Sequence, residues 1–390
     1  MNKSKGEAHI PEKKSRVLNS LFGTNDVIGI IPGAVLAVAI TVAASYLNQL
    51  IKLFAPTGQS PVSTIMIAII LGMTFRNTVG VPRSCSPGIS FCLRKLLRLG
   101  IILMGIRLSV FAVARIGATA VGIVIICIAA GLLFTIFVAG RLKLPPKLGT
   151  LIAVGTSICG ASAIVATGPG IEAKEEEIAY AVATITIFGI AAMFVYPYLT
   201  HLVLALSDVQ AGIFMGTAIH ETAQVAGAGL MYDQLWTTQA IGSPTGADVA
   251  IVTKLVRNAL MAVVIPLMVY VHTKSQLRKE ARRINPLKLF PLFILGFITL
   301  AIVRSLGDHL IVGRELVWDA NSWDYFWRAV KQWSGNFLAV AMAGVGLGTG
   351  FKKLSELGLR PFFVGLLAAV FIGVICLILI GVSVSLLKVA

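Results

Sequence analysis

His220 and Glu221 stand side by side in the string GTAIHETAQ, with Thr222 and Gln224 directly after them. An imidazole and a carboxylate can both exchange protons near neutral pH, one through its ordinary range and the other when its surroundings shift it. Placed inside a membrane, such a pair is costly to keep and is read as functional first, here as a proton-coupling pair. The competing reading is a structural hydrogen bond between neighbouring segments. Further on, Lys254, Arg257 and Asn258 fall at i, i+3 and i+4, which puts them on one face of a helix. A cationic face could neutralise an anion; the alternative is a pair snorkelling to the interface. Upstream, the string GTSICGASA puts Gly, Thr and small polar residues at the middle of an apolar run. Arg98 and Arg107 flank an apolar run and read first as anchors, with Arg107 near enough to Gly105 to be a further candidate.

Other chemistries fit these residues less well. The zinc-protease motif needs a second His four residues after the first, and Gln224 occupies that position. Ser157 or Ser162 with His220 could form a hydrolase pair, but there is no G-x-S-x-G and no evident oxyanion hole. Cys85, Cys92, Cys127, Cys159 and Cys376 are odd in number and lack paired spacing, so neither a disulfide framework nor a metal site is read from them. No catalytic residue, metal or cofactor is assigned. The net charge of +16 would suit nucleic acid, yet the basic residues cluster at the ends of apolar runs, where they face anionic lipid heads instead.

The elements that must position these side chains are membrane helices. Hydrophobic residues make up 57% of the 390-residue chain and charged ones 13%, against roughly 25% charged in soluble domains; mean hydropathy is +0.88. Apolar segments run over 27–47, 61–76, 96–114, 117–140, 147–168, 177–204, 209–230, 248–272, 287–304, 329–350 and 360–388. Residues 1–26 form a polar arm, read as cytoplasmic, and 27–390 one transmembrane domain. Lys and Arg place the N-terminus and the loops at 76–95, 141–147, 274–288 and 352–360 in the cytoplasm. The acidic or neutral stretches 172–177, 233–248 and 308–324 then lie outside, with the C-terminus. Trp236, Trp318, Trp323, Trp327 and Trp333 crowd that outer side as an aromatic belt.

Two segments are abnormal. Residues 147–168 and 209–230 carry Gly, Thr and small polar residues at their middles, where a spanning helix would be Leu and Ile. They also resemble each other without gaps from Gly155 to Gly168 and from Gly216 to Gly229. The stretches EEIAYAVATITIFG and ADVAIVTKLVRNAL that follow match loosely, each with a later proline, Pro197 and Pro266. A pair of Gly-interrupted segments points to a transporter site. Unwound backbone survives only inside protein or beside a water-filled cavity, and the half-helix that restarts aims its positive end at the gap. The alternative, close helix packing, suits Gly344, Gly346, Gly348 and Gly350 better. A weaker similarity links 61–140 with 287–384 in the same order, shifted by seven segments, so the copies would be inverted across the membrane. Both broken segments could span in parallel, or both could be re-entrant and enter from opposite sides; either obeys the charge pattern.

The stretch GTSICGASAIVATGPGIEAKEEEIAYAVATITIFGIAAMFVYP, with RLGIILMGIRL before it and HETAQVAGAG after it, resembles a family of candidate sulfate exporters of bacterial inner membranes. The resemblance runs from about Ile28 to the end of the chain. That family is similar to the bile-acid/sodium symporters and cation/proton antiporters, whose folds have inverted repeats and crossed, broken helices at the midplane. The resemblance implies one break at Thr156, Ser157, Cys159, Gly160 and Ser162 and another at His220, Glu221, Thr222 and Gln224. The proline-glycine break and the Glu-Thr-Gly-x-Gln-Asn string of the symporters are matched only in part, so their sodium sites do not transfer residue by residue.

The sequence therefore predicts an all-α polytopic protein of the bacterial inner membrane. It has about ten or eleven transmembrane segments, inverted repeats and two broken or re-entrant helices at the midplane. The expected activity is secondary transport, an antiporter-like export of a small inorganic or organosulfur anion, with sulfate or sulfite implied by the resemblance. Thr156, Ser157, Cys159, Gly160, Ser162, Thr222, Gln224, Lys254 and Arg257 would bind the anion, while His220 and Glu221 would handle protons. An anion channel and a membrane-embedded hydrolase are the alternatives. Protons or sodium, membrane lipids and a second copy of the chain are the compatible partners, and nucleic acid is not.

Overall fold

A computed structural model of the chain describes residues 28–54, 60, 62–236, 244–275, 291–311, 320–350 and 358–387. The arm at 1–26, Trp318 and most of the basic loops at 274–288 and 352–360 lie outside these residues. Among the described residues all regular structure is helical. We number the α-helices α1 (Ile31–Phe54), α2 (Thr64–Thr78), α3 (Ser86–Phe91), α4 (Leu97–Met104), α5 (Val110–Arg141), α6 (Pro146–Ser157), α7 (Ala161–Thr167) and α8 (Glu175–Tyr198). The second half holds α9 (Asp208–Ala218), α10 (Thr222–Trp236), α11 (Gly246–Ala259), α12 (Met261–Ser275), α13 (Phe293–Ile311), α14 (Ala320–Gly348) and α15 (Leu359–Leu387).

Among the described residues, four helical stretches are long and apolar enough to cross a membrane: Ile28–Phe54, Val110–Arg141, Glu175–Val203 and Leu359–Ser383. Helices α11 and α12 make a fifth, bent by 43° at Leu260. One boundary moves from the sequence reading. The segment 96–114 does not end at 114. The chain is helical from Ser86 through a π turn to Met104, tightens into a 3-10 turn at Gly105–Arg107, and restarts after Ser109, whose hydroxyl accepts from the Ala112 N–H. That Ser cap, half-buried within an apolar run, is the physical start of α5.

Two groups of helices emerge from the contacts. Helices α1, α2, α4, α13 and α14 pack mainly on one another. Gly72 of α2 and Gly346 of α14 lie against each other's backbone, a crossing that a side chain at either position would prevent. Helices α5 to α12 and α15 form the second group, and α10 touches α2 and α14 across the boundary. Packing is reciprocal in the way repeats predict. Hairpin α6–α7 lies on α8 as α9–α10 lies on α11, and α2 lies on α14 as α13 lies on α4.

Both broken segments are re-entrant hairpins. In the first, Lys147 Nζ at the start of α6 donates to the Glu172 carbonyl just past α7, at 2.5 Å, so both ends share one face of the bundle. In the second, the Tyr232 hydroxyl late in α10 donates to Asp208 Oδ1 at the start of α9, at 2.9 Å. Helix α8 connects the base of the first hairpin to the base of the second, where Tyr198 meets Trp236 edge-on with ring centres 5.2 Å apart. The hairpins therefore enter from opposite faces: of the two readings the sequence left open, parallel spans and re-entrant segments, the second is the one the structure takes.

This geometry corrects the sequence reading of 172–177. These residues lie on the same face as Lys143 and Lys147, not opposite them. Glu175, Glu176 and Glu177 sit in the first turn of α8, where Glu177 accepts from the Lys174 N–H at 2.8 Å. Their charge answers the positive end of a helix. It says little about sidedness, because acidic residues contribute weakly to topology.

Candidate functional site

Each hairpin breaks for a local reason. Pro146 starts α6 at a position where a missing N–H costs nothing. The helix ends at Ile158 (φ −119°, ψ −89°), and Gly160 turns the chain at φ +70°, a region side chains rarely adopt. Its missing Cβ also makes room for Glu221, whose side chain packs against that bare Cα. The second hairpin opens on a capping box, with Ser207 N–H donating to Gln210 Oε1 at 3.0 Å. It unwinds at Ile219 (φ −79°, ψ 141°), and α10 begins at Thr222. Gln224 caps this restart by accepting from the Glu221 N–H at 3.1 Å.

The two tips meet in the interior. Helices α6 and α9 point their carbonyl ends at the centre, and α7 and α10 point their N–H ends there. Helix α11 runs past both and drives two cations into the carbonyl ends. Lys254, 0% exposed, donates to Ile158 O (3.2 Å), Ile219 O (2.9 Å) and His220 O (2.5 Å). Arg257, 1% exposed, donates from Nε to Ser157 O (2.9 Å) and from Nη1 to Thr217 O (2.6 Å) and Ile219 O (2.9 Å). Its Nη2 donates to Thr156 O. Six carbonyls that no helix turn can satisfy thus take seven charge-assisted hydrogen bonds from two side chains. Negative helix ends and positive side chains offset one another.

This arrangement leaves the positive ends of α7 and α10 uncovered by cations. The Glu221 carboxylate lies at the first of them, against the Ala161 N–H, and accepts from Thr186 Oγ1 of α8 at 3.3 Å. Thr222 Oγ1 accepts from Asn258 Nδ2 at 3.1 Å. Glu221, Thr222, Ala161 and Thr186 are half-buried and Ser162 is exposed, whereas residues 148–160 and 211–220 are wholly buried. The half-buried set is the accessible face of the crossing.

The structure brings the sequence candidates together but gives several of them other immediate partners. Lys254 and Arg257 bind main chain, with all three Lys254 donors taken. Thr156 Oγ1 bonds back to Ile152 O in its own helix, at 2.6 Å. Gln224 spends its oxygen on the cap and its Nε2 on Thr186 O at 3.4 Å. Cys159 is buried with its Sγ 3.3 Å from Met261 Sδ. His220 is buried against the Thr156 main chain, and its Nδ1 and the Ser157 hydroxyl have no hydrogen-bond partner among the described residues. Ser162, Glu221 and Thr222 remain at the accessible face.

Thr186 and Ala161 were not singled out from the sequence. The loose match of EEIAYAVATITIFG to ADVAIVTKLVRNAL sets Thr186 opposite Arg257, and that alignment was the available signal. Arg107 lies away from the tips, at the base of the second hairpin. It reaches Asp248 (3.0 Å), Asp233 (3.7 Å) and Thr245 Oγ1 (3.2 Å), clasping α10 and α11 to the helix group that carries α4. Arg98 stacks over Phe293, 6.0 Å from the ring centre, as an anchor would. Of the proposed aromatic belt, Trp323 donates to Asp308 at 2.9 Å and Trp327 lies under Arg304 at 4.2 Å.

Residues 32–365 match the family described as conserved hypothetical protein 698. The chain belongs to that family. Among its relatives, the UPF0324 membrane protein of Bacillus cereus strain ATCC 10987 is 35% identical over 376 residues, covering 95% of this chain and 92% of the relative. The UPF0324 membrane protein of Corynebacterium glutamicum is 33% identical over 306 residues, covering 78% and 80%. That of Agrobacterium fabrum is 30% identical over 347 residues, covering 89% and 91%. The match to the conserved hypothetical protein 698 family covers both hairpins, α11 and the Arg107 clasp.

Proposed function

We propose that this membrane protein is a secondary transporter that exports a small inorganic or organosulfur anion of the sulfate or sulfite kind. One observation carries the reading: two re-entrant hairpins meet tip to tip, their carbonyl ends filled by Lys254 and Arg257 and their N–H ends turned to a half-buried face. Helix N-termini favour anions through free N–H groups and the dipole. Thr222 and Ser162 add hydroxyl donors at the same face. Lys254 and Arg257 contribute long-range positive potential without touching the anion.

Glu221 supplies the coupling. Its carboxylate lies at the N–H end of α7, where an incoming anion would seek the same donors. Protonation of Glu221 removes the competing charge and frees the site. Anion and proton then travel together. A divalent anion with one proton still carries a net negative charge, and a membrane potential moves it at about 2.3 kcal/mol per charge per 100 mV. The helix group holding the hairpins moves against the group of α1, α2, α4, α13 and α14.

The test is flux of radiolabelled sulfate and sulfite into proteoliposomes, with a trapped pH dye. Wild type should bind anion more weakly as pH rises and acidify the lumen during uptake. Glu221→Gln, with no charge to compete, should bind with little pH dependence. Sulfur-anion flux in wild type without proton movement would remove the coupling, and an absence of flux and binding for every sulfur anion would remove the transport reading.

A further inference from the structure

Three carbonyl oxygens converge on Lys254 Nζ, one from the first tip and two from the second: Ile158 at 3.2 Å, Ile219 at 2.9 Å and His220 at 2.5 Å. A neutral amine has two N–H bonds; an ammonium has three, which matches the three acceptors. The side chain is completely buried. Unwound carbonyls and half-helix carbonyl ends are also what coordinate a bare alkali-metal ion in broken-helix transporters. Arg257 does not fit that description, because its planar fork spreads charge over four carbonyls around it. Lys254 presents a compact point charge on a flexible stem.

We propose that the Ile158, Ile219 and His220 carbonyls form a monovalent-cation site whose permanent occupant is the tethered ammonium of Lys254, so that the protein takes up no alkali-metal ion. The occupant cannot leave, and its charge holds the two tips together in every state. The statement about uptake rests on the transport reading above, whereas the cage itself does not.

Thermal unfolding of the purified full-length protein tests it, in chloride salts of choline, sodium, potassium, ammonium and methylammonium at equal ionic strength. Wild type should unfold at the same temperature in sodium and choline, within about 1 °C. Lys254→Ala should unfold several degrees lower and recover saturably in at least one of the small cations, by mass action on an emptied cage. Saturable stabilisation of wild type by sodium overturns the proposal. So does a folded Lys254→Ala protein that responds to none of these cations. Should that variant yield no folded protein, the wild-type comparison still decides, together with anion flux measured in sodium and in choline, which should be equal. A protein that shows the cation behaviour and ignores all sulfur anions keeps the cage and loses the transport reading.

Discussion

Where the first hairpin has Cys159, Gly160 and Ala163, the second has His220, Glu221 and Gln224. The helix after the first carries Ala183 and Thr186 where the helix after the second carries Lys254 and Arg257. The backbones are alike and the cargo is not. The second unit brings nearly all the charge, and the first brings the space that admits it. Gly160 is vacant so that Glu221 can reach the N–H end of α7, and Ile158 and Ser157 offer carbonyls that only the second unit's cations can fill. A symmetric plan would have put like charges face to face; dividing the roles lets each tip complete the other.

Emptying the more heavily loaded side should do the most damage. Arg257→Gln takes the charged donor from three buried carbonyls, those of Thr156, Ser157 and Thr217, while Ile219 O keeps Lys254; each loss is worth about 1–3 kcal/mol. It should abolish folded protein on size-exclusion chromatography, whereas Thr186→Val, the aligned change in the other unit, should leave a monodisperse peak. Equal behaviour of the two variants would break the comparison. Gly160→Ala comes next. A φ of +70° and the adjoining Glu221 side chain predict a loss of about 1–3 kcal/mol, read as a lower melting temperature. Adding Glu221→Ala should return part of that loss, because one of the two causes is the contact; strict additivity would show that backbone strain acts alone. The smallest effect concerns two threonines, one from each hairpin. Thr222→Ala should weaken anion binding about fivefold, one hydrogen bond's net worth. Thr156→Ala should leave affinity unchanged, since its hydroxyl is already spent on Ile152 O. Isothermal titration with a validated anion separates them.

The helical membrane fold was legible because apolar length is a strong signal and the segments recur with short connections. The two breaks were legible because Gly, Thr and Ser at the middle of an apolar run conflict with a simple span. What the sequence could not show was direction. A hairpin and a span have the same composition, and the glutamates at 175–177 looked like a topology marker while serving as a helix start. The roles of Lys254 and Arg257 were half visible. Their shared face was evident from the spacing, but carbonyl groups are common to every residue, so no side-chain pattern reveals that the partner is main chain. Thr186 stayed hidden because a hydroxyl in an apolar helix usually bonds its own backbone.

The long reach of Lys254 has a consequence for how the protein is made. Ile158 precedes its cation by 96 residues in the chain. At a synthesis rate of about 5–20 residues per second, the first hairpin waits about 5–20 s before Lys254 and Arg257 exist. Through that interval its tip carbonyls have neither a helix turn nor a side chain to bind, and hydrocarbon offers none. The hairpin must therefore linger in a hydrated place, at the membrane surface or in the insertion machinery. It can settle at the midplane only when α11 arrives, which makes α11 the timekeeper of assembly.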